Sequence, residues 1–332
     1  MVDSTGLPEF ADVEAAAARI APYAVQTPLV ESAVLNECLG GRVFLKLESL
    51  QRTGSFKFRG ACNRIGMIPE RERASGVVAF SSGNHAQGVA AAAALFGLPA
   101  TIVMPRDAPR TKIDGTRALG AQVVFYDRLT DDREAIALEI CAERAATLIR
   151  PFDDPGIVAG QGTVGLEIAQ AAKARGIRLD AVLVPCSGGG LVAGIALALS
   201  GASMRTAAIS VEPERFDGMR RSLDAGRRVS ASGGTVSIAD ALMAPIPGTI
   251  PFALAKKYME RGIAVGDDEL VRAVGYAACR LKLIIEPGGS AGLAAVLGGQ
   301  YDVRGRTVAV VLTGANCDFE TVAACMSRAA GD

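Results

Sequence analysis

Short apolar segments alternate with helix-like segments along most of this chain, and this alternation restricts the fold more than any other feature. Apolar runs typical of buried strands occupy residues 43–47, 77–81, 101–104, 122–126, 182–184, 206–211 and 307–312. Strands that alternate with helices predict parallel sheets whose two faces are covered by helices. The sequence therefore predicts an α/β fold with mostly parallel sheets.

Composition excludes several classes of function. Half of the 332 residues are apolar, so the chain can bury a large core and form two domains. The 35 basic and 35 acidic residues leave no net charge and form no basic cluster, which argues against a nucleic-acid partner. No apolar run of about eighteen residues predicts a membrane span, and residues 1–19 lack a signal-peptide pattern. The seven scattered cysteines suit reduced thiols, so we expect a cytoplasmic protein.

Residues 51–60, QRTGSFKFRG, place one lysine where a loop becomes a helix, directly after the strand predicted at 43–47. Ser55 is predicted to cap this helix, which puts Lys57 in its first turn. The partial positive charge of the helix N-terminus lowers the pKa of a lysine there. A lysine that is easily neutralised can act as a nucleophile or a general base. Taken alone, Lys57 is better explained as an ordinary surface lysine, and three further segments change that interpretation.

Each of these segments puts polar or flexible residues at the end of a predicted strand. Residues 81–88, SSGNHAQG, open an Ala-rich helix, and their amides and hydroxyls can bind an anion. Residues 187–190, SGGG, separate a strand from a helix and can wrap a phosphate with backbone amides. Thr313 adds a hydroxyl after the strand at 307–312. His85 is the only histidine and no Cys-x-x-Cys pair is present, so these residues do not predict a zinc-type site.

Together the segments fit one ligand that has an aldehyde, a phosphate and a ring nitrogen, which is pyridoxal phosphate. Lys57 would form the Schiff base, residues 187–190 would hold the phosphate, and Thr313 would face the ring nitrogen. The set closely resembles the fold-type II pyridoxal-phosphate enzymes, with the serine/threonine dehydratases (ammonia-lyases) and the serine racemases as the nearest groups. The resemblance runs from residue 27 to residue 316.

The resemblance implies a tryptophan synthase β-like fold of two three-layer α/β domains. Residues 1–54 and 150–332 would form a large, discontinuous cofactor-binding domain, and residues 55–149 a smaller inserted one. The active site would then lie in the cleft between them, outside the carboxyl ends of the strands. Only a helical tail follows residue 316, so we expect no appended effector-binding domain. We also expect a homodimer.

The resemblance also assigns roles to individual residues. The cofactor would contact Phe56, Lys57, Asn84, Ser187, Gly188, Gly189, Gly190, Leu191, Glu286 and Thr313. The α-carboxylate of an amino-acid substrate would bind at Ser81, Ser82, Gly83, Asn84 and His85. Lys57 would move the α-proton. Loss of a β-hydroxyl group would then give a 2-oxo acid and ammonia, with L-threonine or L-serine as the first candidate substrate.

Three alternatives remain open at this point. Arg133 can pair with a distal carboxylate, which would favour 3-hydroxyaspartate, or can be a solvated arginine on a helix face. Ser82 stands where the racemases carry a reprotonating hydroxyl, which would favour a serine racemase. A non-catalytic relative that binds the cofactor is the third. Phe152, Ala241 and Leu242 are expected to line a small, partly apolar side-chain pocket.

Dependence on a divalent cation is also left open. In cation-dependent relatives oxygen ligands follow a Glu-Pro pair, and Glu212 and Asp217 are the matching candidates for Mg²⁺, Mn²⁺ or Ca²⁺. Gly218 stands where those relatives carry an acidic residue. A solvated surface loop explains this charged segment equally well.

Overall fold

The strand segments of the chain form two separate sheets in the computed structural model, which describes residues 6–234 and 236–329. The strands are β1 (Leu29–Glu31), β2 (Arg42–Leu47), β3 (Val77–Phe80), β4 (Ala100–Pro105), β5 (Gln122–Tyr126), β6 (Thr147–Leu148), β7 (Ala181–Pro185), β8 (Ala207–Pro213), β9 (Arg261–Val265) and β10 (Thr307–Leu312). The larger sheet has the order β1-β2-β10-β7-β8-β9, and the smaller one the order β5-β4-β3-β6.

Helices connect and cover these strands. They are α1 (Phe10–Ile20), α2 (Ala33–Leu39), α3 (Lys57–Gly66), α4 (Asn84–Phe96), α5 (Arg110–Ala118), α6 (Arg133–Arg144), α7 (Pro155–Ala174), α8 (Gly190–Gly201), α9 (Gly218–Ala225), α10 (Thr249–Tyr258), α11 (Asp267–Tyr276), α12 (Ala291–Leu297) and α13 (Phe319–Ala329). A π-helical turn, Ala277–Leu281, continues α11.

Strand pairing confirms the predicted α/β class. β1 pairs with β2 in the antiparallel sense, and the other strand pairs in the described part of the chain are parallel. β2 comes from the first part of the chain, yet it pairs with β10 near the end. The smaller sheet is built from residues 77–148 alone. The pairing of β2 with β10 and the separate sheet of residues 77–148 support the predicted domain limits at residues 54/55 and 149/150, which stay a prediction.

Alternate residues of each sheet pack into different cores, as expected for a sheet covered on both faces. In β7, Leu183 packs in the core that includes α12, whereas Val182 and Val184 pack in the core that includes α8. In β3, Val77 and Ala79 face α3 and α4, while Val78 and Phe80 face α6. Each sheet is therefore the middle layer of three.

The structure corrects two helix starts. Ser55 does not cap α3: its backbone is extended and bridges Gly314, and the helix begins at Lys57 with Phe56 as the N-cap residue. Lys57 still lies in the first helical turn. The sequence pattern predicts a helix around residues 162–173, but this helix, α7, already begins at Pro155. Asp154 caps it there by accepting the Ile157 N–H at 2.9 Å. Its glycines concealed this start, since glycine disfavours helices in solution.

Those glycines allow α7 and α8 to approach each other closely. A Cβ atom added to Gly162 would lie 2.9 Å from the Gly194 carbonyl oxygen, and one added to Gly194 would lie 2.5 Å from the Val158 carbonyl oxygen. Only residues without side chains fit at this crossing. The close contact holds α8, which starts at the predicted phosphate loop, against the long helix behind it.

A buried ionic network joins α3 to the larger sheet. The Arg59 guanidinium donates to Glu48 Oε2 at 2.8 Å and to Glu167 Oε1 at 2.6 Å. Lys46 donates to Glu167 Oε2 at 2.5 Å. Arg59, Lys46 and Glu48 are almost completely buried, so each depends on its partners to offset lost hydration.

We predict that Arg59→Met lowers the free energy of unfolding by about 3–5 kcal/mol, because it leaves buried carboxylates without their partner. Chemical denaturation of the purified protein measures this change. Arg304→Met is the matched control, since Arg304 pairs with Asp302 at 2.9 Å on the exposed surface. A loss no larger than that of the control would show that the buried network contributes little stability.

Candidate active site

A cavity of about 220 Å³ lies where the carboxyl ends of strands from both sheets face each other. The loop after β3 contributes residues 81–85, the loop after β7 contributes residues 186–189, and Thr313 follows β10. Ligands of open α/β sheets bind at such strand ends. The predicted cofactor and substrate residues therefore line one cavity, although they are spread over most of the sequence.

Lys57 projects into this cavity from the first turn of α3. Its Nζ atom donates to the Pro151 carbonyl oxygen at 2.8 Å and lies 5.2 Å from the centre of the Phe56 ring. Burial lowers the pKa of Lys57 to about 8. A substantial fraction of this amine is therefore neutral near physiological pH, as a nucleophile or general base requires.

Residues 81–85 form the N-terminal end of α4 on the opposite wall. Ser81 Oγ accepts the Gly83 N–H at 3.2 Å, and Gly83 is the N-cap residue of the helix. The Asn84 amide donates to Glu286 Oε1 at 2.6 Å and accepts from the Asn316 amide at 2.8 Å. The side chain of Asn84 is thus held in one orientation by two partners.

His85 has a different environment from its neighbours. Its Nε2 atom lies 2.9 Å from the Ile149 carbonyl oxygen, so the neutral ring donates there. Burial and then the charge of Lys57 lower the pKa of His85 to about 3. The imidazole is consequently neutral at physiological pH, and its Nε2–H is already used. We infer that His85 can serve a substrate carboxylate through its backbone amide but not through Nε2.

The glycine loop has the shape of a phosphate cradle. Gly189 has a φ of 93° and is the N-cap residue of α8. A Cβ atom on Gly188 would lie 2.3 Å from the Phe152 ring, and one on Gly189 would lie 2.4 Å from Met219 Cε. The first amides of α8 have no partner within the helix and point toward the cavity end of the loop. Ser187 Oγ accepts the Ala244 N–H at 3.1 Å, which ties the loop to the opposite segment.

Thr313 and Glu286 line the cavity beside Asn84. Thr313 is 3% exposed and directly follows β10. Burial raises the pKa of Glu286 to about 7, although the Asn84 amide opposes that shift. Together with Lys57 and the glycine cradle, this donor set fits pyridoxal phosphate: an amine for its aldehyde, amides for its phosphate and a hydroxyl for its ring.

Arg133 and the expected side-chain pocket also lie at this cavity. The Arg133 guanidinium lies 5.4 Å from the centre of the Phe80 ring, and no carboxylate in the described part of the chain pairs with it. Phe152, Ala241 and Leu242 line the same space. Arg133 is exposed, so it is both a solvated helix residue and a wall of the cleft.

Several residues of the cavity wall were not predicted from the sequence, among them Lys112, Gln161 and Asp240. Lys112 of α5 donates to Asp240 Oδ2 at 2.7 Å across 128 positions of the chain. Gln161 of α7 is fully buried, and its amide has no hydrogen-bond partner among the described residues. Residues 160–163 (GQGT) and 238–240 (IAD) are two further segments that resemble the same enzyme family. They include Gln161 and Asp240 but do not reveal the contacts that these residues make.

Glu212 and Asp217 lie behind the glycine loop rather than in the cavity. Both are almost completely buried, so a solvated surface loop is the wrong description of these two residues. Burial raises the pKa of Glu212 to about 8. Within residues 6–234 and 236–329, no three His, Cys, Asp or Glu side chains come together as a metal site.

Comparison with known proteins identifies the family. Residues 20–314 match the family described as pyridoxal-phosphate dependent enzyme. The chain belongs to this family. It is 43% identical over 297 residues to the L-threonine ammonia-lyase of Thermotoga maritima, which covers 90% of this chain and 73% of that protein. It is 42% identical over 317 residues to the L-threo-3-hydroxyaspartate ammonia-lyase of Pseudomonas sp., which covers 96% of this chain and 98% of that protein.

A solved structure agrees with these sequence relatives. Maize serine racemase superposes with a TM-score of 0.89 at 33% identity, covering 98% of each chain. The predicted fold-type II pyridoxal-phosphate enzyme of the ammonia-lyase and serine racemase group is thereby confirmed. Among the described helices, none combines the length and apolar character that a membrane span needs.

We predict that the rate of cofactor capture by the apo protein rises with pH below about 8 and levels off above it, because the neutral amine is the reactive form. Stopped-flow absorbance of the bound cofactor measures this rate. An ordinary lysine would give a rise that continues toward about pH 10.4. Such a continued rise would contradict the lowered pKa of Lys57.

We predict that Gly189→Asp weakens cofactor binding by at least about tenfold, because a carboxylate would oppose the phosphate and a Cβ atom would clash with Met219. Equilibrium dialysis of the cofactor measures the effect. Gly176→Asp is the control, since Gly176 also has a positive φ of 62° but has no atom within 4 Å of an added Cβ. Equal cofactor affinity in the two variants would refute the phosphate assignment.

Proposed function

We propose that this protein is a pyridoxal-phosphate dependent ammonia-lyase that removes the β-hydroxyl group of an amino acid. The products are a 2-oxo acid and ammonia, formed when the released enamine is hydrolysed. One observation carries the proposal: the buried amine of Lys57, with a pKa near 8, faces the carboxylate-binding end of α4 and the glycine cradle within one cavity.

Each wall of the cavity has a task in this reaction. When bound, pyridoxal phosphate supplies an electron sink that stabilises negative charge at the substrate Cα. The amides and hydroxyls of residues 81–84 bind the α-carboxylate and fix the substrate orientation. Lys57 accepts the α-proton in its neutral form and can return it, or pass it on, as an ammonium. Burial of the cavity keeps bulk water from competing for these groups.

Thr313 would favour elimination over transamination. Its hydroxyl would hold the ring nitrogen of pyridoxal phosphate without enforcing protonation there, whereas a carboxylate at this position would enforce it. The hydroxyl of Thr313 lies at the end of a fully parallel-paired strand, so its place is fixed by the larger sheet.

L-Threonine and L-serine are the first candidate substrates. Phe152, Ala241 and Leu242 give the cavity an apolar part of small volume, which suits a hydrogen atom or a methyl group at Cβ. The T. maritima relative is named for threonine and covers most of this chain.

3-Hydroxyaspartate is the second candidate, and Arg133 is the observation that favours it. Its guanidinium lies on the cavity wall without a carboxylate partner in the described part of the chain. A bidentate pair with a second substrate carboxylate would satisfy it. The Pseudomonas relative is named for this substrate.

Racemisation of serine is a competing outcome in the same site. Ser82 lies on the wall of the cavity that Lys57 also lines, so its hydroxyl is a candidate to reprotonate Cα from the other face. A purely structural role for the cofactor is disfavoured, because it would not require a buried amine with a lowered pKa. The seven free cysteines support a reducing, cytoplasmic location.

We predict 2-oxo acid formation from L-threonine, L-serine and 3-hydroxyaspartate isomers in a parallel assay, with chiral analysis of the remaining serine. Arg133→Ala should lower kcat/KM for 3-hydroxyaspartate by about tenfold or more and leave L-threonine almost unchanged, because only the former has a second carboxylate. The Lys57→Ala variant, which lacks the proton-transfer amine, gives the background rate.

Arg110→Ala is the matched control, since Arg110 belongs to α5, which also carries the cavity residue Lys112, but Arg110 is exposed and pairs only loosely with Asp114 at 3.8 Å. Equal losses of kcat/KM for both substrates in Arg133→Ala would show that Arg133 does not bind the second carboxylate. Formation of D-serine without 2-oxo acid would show that the protein is a racemase rather than a lyase. Absence of any turnover would refute the proposed function.

A further inference from the structure

The residues that match the cation ligands of some relatives are already paired within this chain. Glu212 accepts the backbone N–H groups of Met219 at 2.9 Å and of Arg220 at 2.8 Å, one on each carboxylate oxygen. Asp217 Oδ2 accepts from Arg220 Nε at 3.0 Å, and its Oδ1 lies 3.2 Å from Arg221 Nε. Both carboxylates are thus held by groups that carry positive or partial positive charge.

A divalent cation does not fit this arrangement. Ca²⁺ takes about 6–8 oxygen ligands at about 2.3–2.6 Å, and Mg²⁺ requires near-octahedral oxygen geometry. Gly218, the next residue, has no side chain to offer a third carboxylate. A metal ion at Asp217 would also have to displace the Arg220 guanidinium or lie beside a like charge.

We propose that the Arg220 guanidinium supplies the positive charge beside Asp217 that a metal ion supplies in cation-dependent relatives. The protein then binds no divalent cation at Glu212 and Asp217. Arg220 is a positioning residue in this role, because it touches neither substrate nor cofactor. The Arg220 side chain is 36% exposed, while the Asp217 side chain that it neutralises is 2% exposed. The charge therefore reaches the buried carboxylate from the surface side.

The same contacts support the glycine loop from behind. Glu212 fixes the N–H of Met219, and Met219 Cε would be the first atom met by a Cβ on Gly189. Cys186 precedes the loop and lies beside the Glu212 carboxylate. Loss of charge balance at Asp217 would thus loosen the start of α9 and, through Met219, the floor of the phosphate cradle.

The first test uses the wild-type holoenzyme. We expect no stoichiometric Mg²⁺, Mn²⁺ or Ca²⁺ by elemental analysis, and no change in Tm or turnover after dialysis against a chelator. Addition of each cation should also leave Tm unchanged. Bound metal, or a loss of Tm on chelation that the metal restores, would overturn the proposal. These readouts do not depend on which substrate the enzyme uses.

The second test removes the internal charge. In Arg220→Gln, we expect about tenfold weaker cofactor binding, because a buried carboxylate loses one charged partner. Added Mg²⁺ or Ca²⁺ should recover part of that loss and raise Tm, and Gly218→Asp in the same variant should strengthen the cation response. Arg220→Lys keeps the positive charge, so its cofactor binding and its Tm should not change when cations are added.

Arg304→Gln is the matched control, because Arg304 pairs with Asp302 at 2.9 Å away from this site. It should retain cofactor affinity and show no response to cations. An Arg220→Gln variant that binds cofactor normally, or one that is weakened but ignores every cation, would refute the role of Arg220 as a stand-in for metal. If neither Arg220 variant folds, the wild-type metal analysis still decides whether a divalent cation binds.

Discussion

The buried pairing of Arg59 with Glu48 and Glu167 is the interaction on which the site geometry depends. Arg59 lies in the first turns of α3, Glu48 directly follows β2, and Glu167 belongs to α7, so one guanidinium ties three elements together. Five N–H donors in a rigid planar group allow this, whereas a lysine offers one point of charge. Because Lys57 is two residues away on the same helix, the network that satisfies Arg59 also fixes where the reactive amine enters the cavity.

Burial shifts the pKa values of two cavity residues, Lys57 and Glu286, toward neutral pH. It lowers the pKa of Lys57 to about 8 and raises the pKa of Glu286 to about 7, while His85 remains neutral because its pKa falls to about 3. Shifts of this kind in a cleft are typical of functional sites. As pH rises through these values, the amine of Lys57 loses its proton and Glu286 gains charge. As pH rises from below about 7 to above about 8, the cavity thus gains one negative charge at Glu286 and loses one positive charge at Lys57.

Much of the fold and of the site was predictable, because the sequence patterns that indicate them involve only a few neighbouring residues. The strands at 122–126 and 307–312 match the structure residue for residue, since short runs rich in valine and aromatic residues favour strands. Lys57, the glycine loop and Thr313 each lie at a strand end, where a few neighbouring residues reveal the turn. The three-residue strand β1 and helix α12, which follows a glycine-rich turn, gave no such signal. Pairs such as Lys112–Asp240 were also beyond reach, because contacts between distant segments depend on packing rather than spacing.

The exposure of Arg133 limits how strongly this cavity can select between its two candidate substrates. An apolar pocket gains only about 1–3 kcal/mol from a methyl group, so it cannot reject serine or threonine decisively. A buried, unpaired guanidinium would penalise a substrate without a second carboxylate, but a solvated one keeps its hydration and imposes little cost. Strong selection for 3-hydroxyaspartate therefore requires that Arg133 lose water when substrate binds. Lys112 and Asp240 already join the two walls of the cleft at 2.7 Å, so this side of the cleft is held together before any substrate binds.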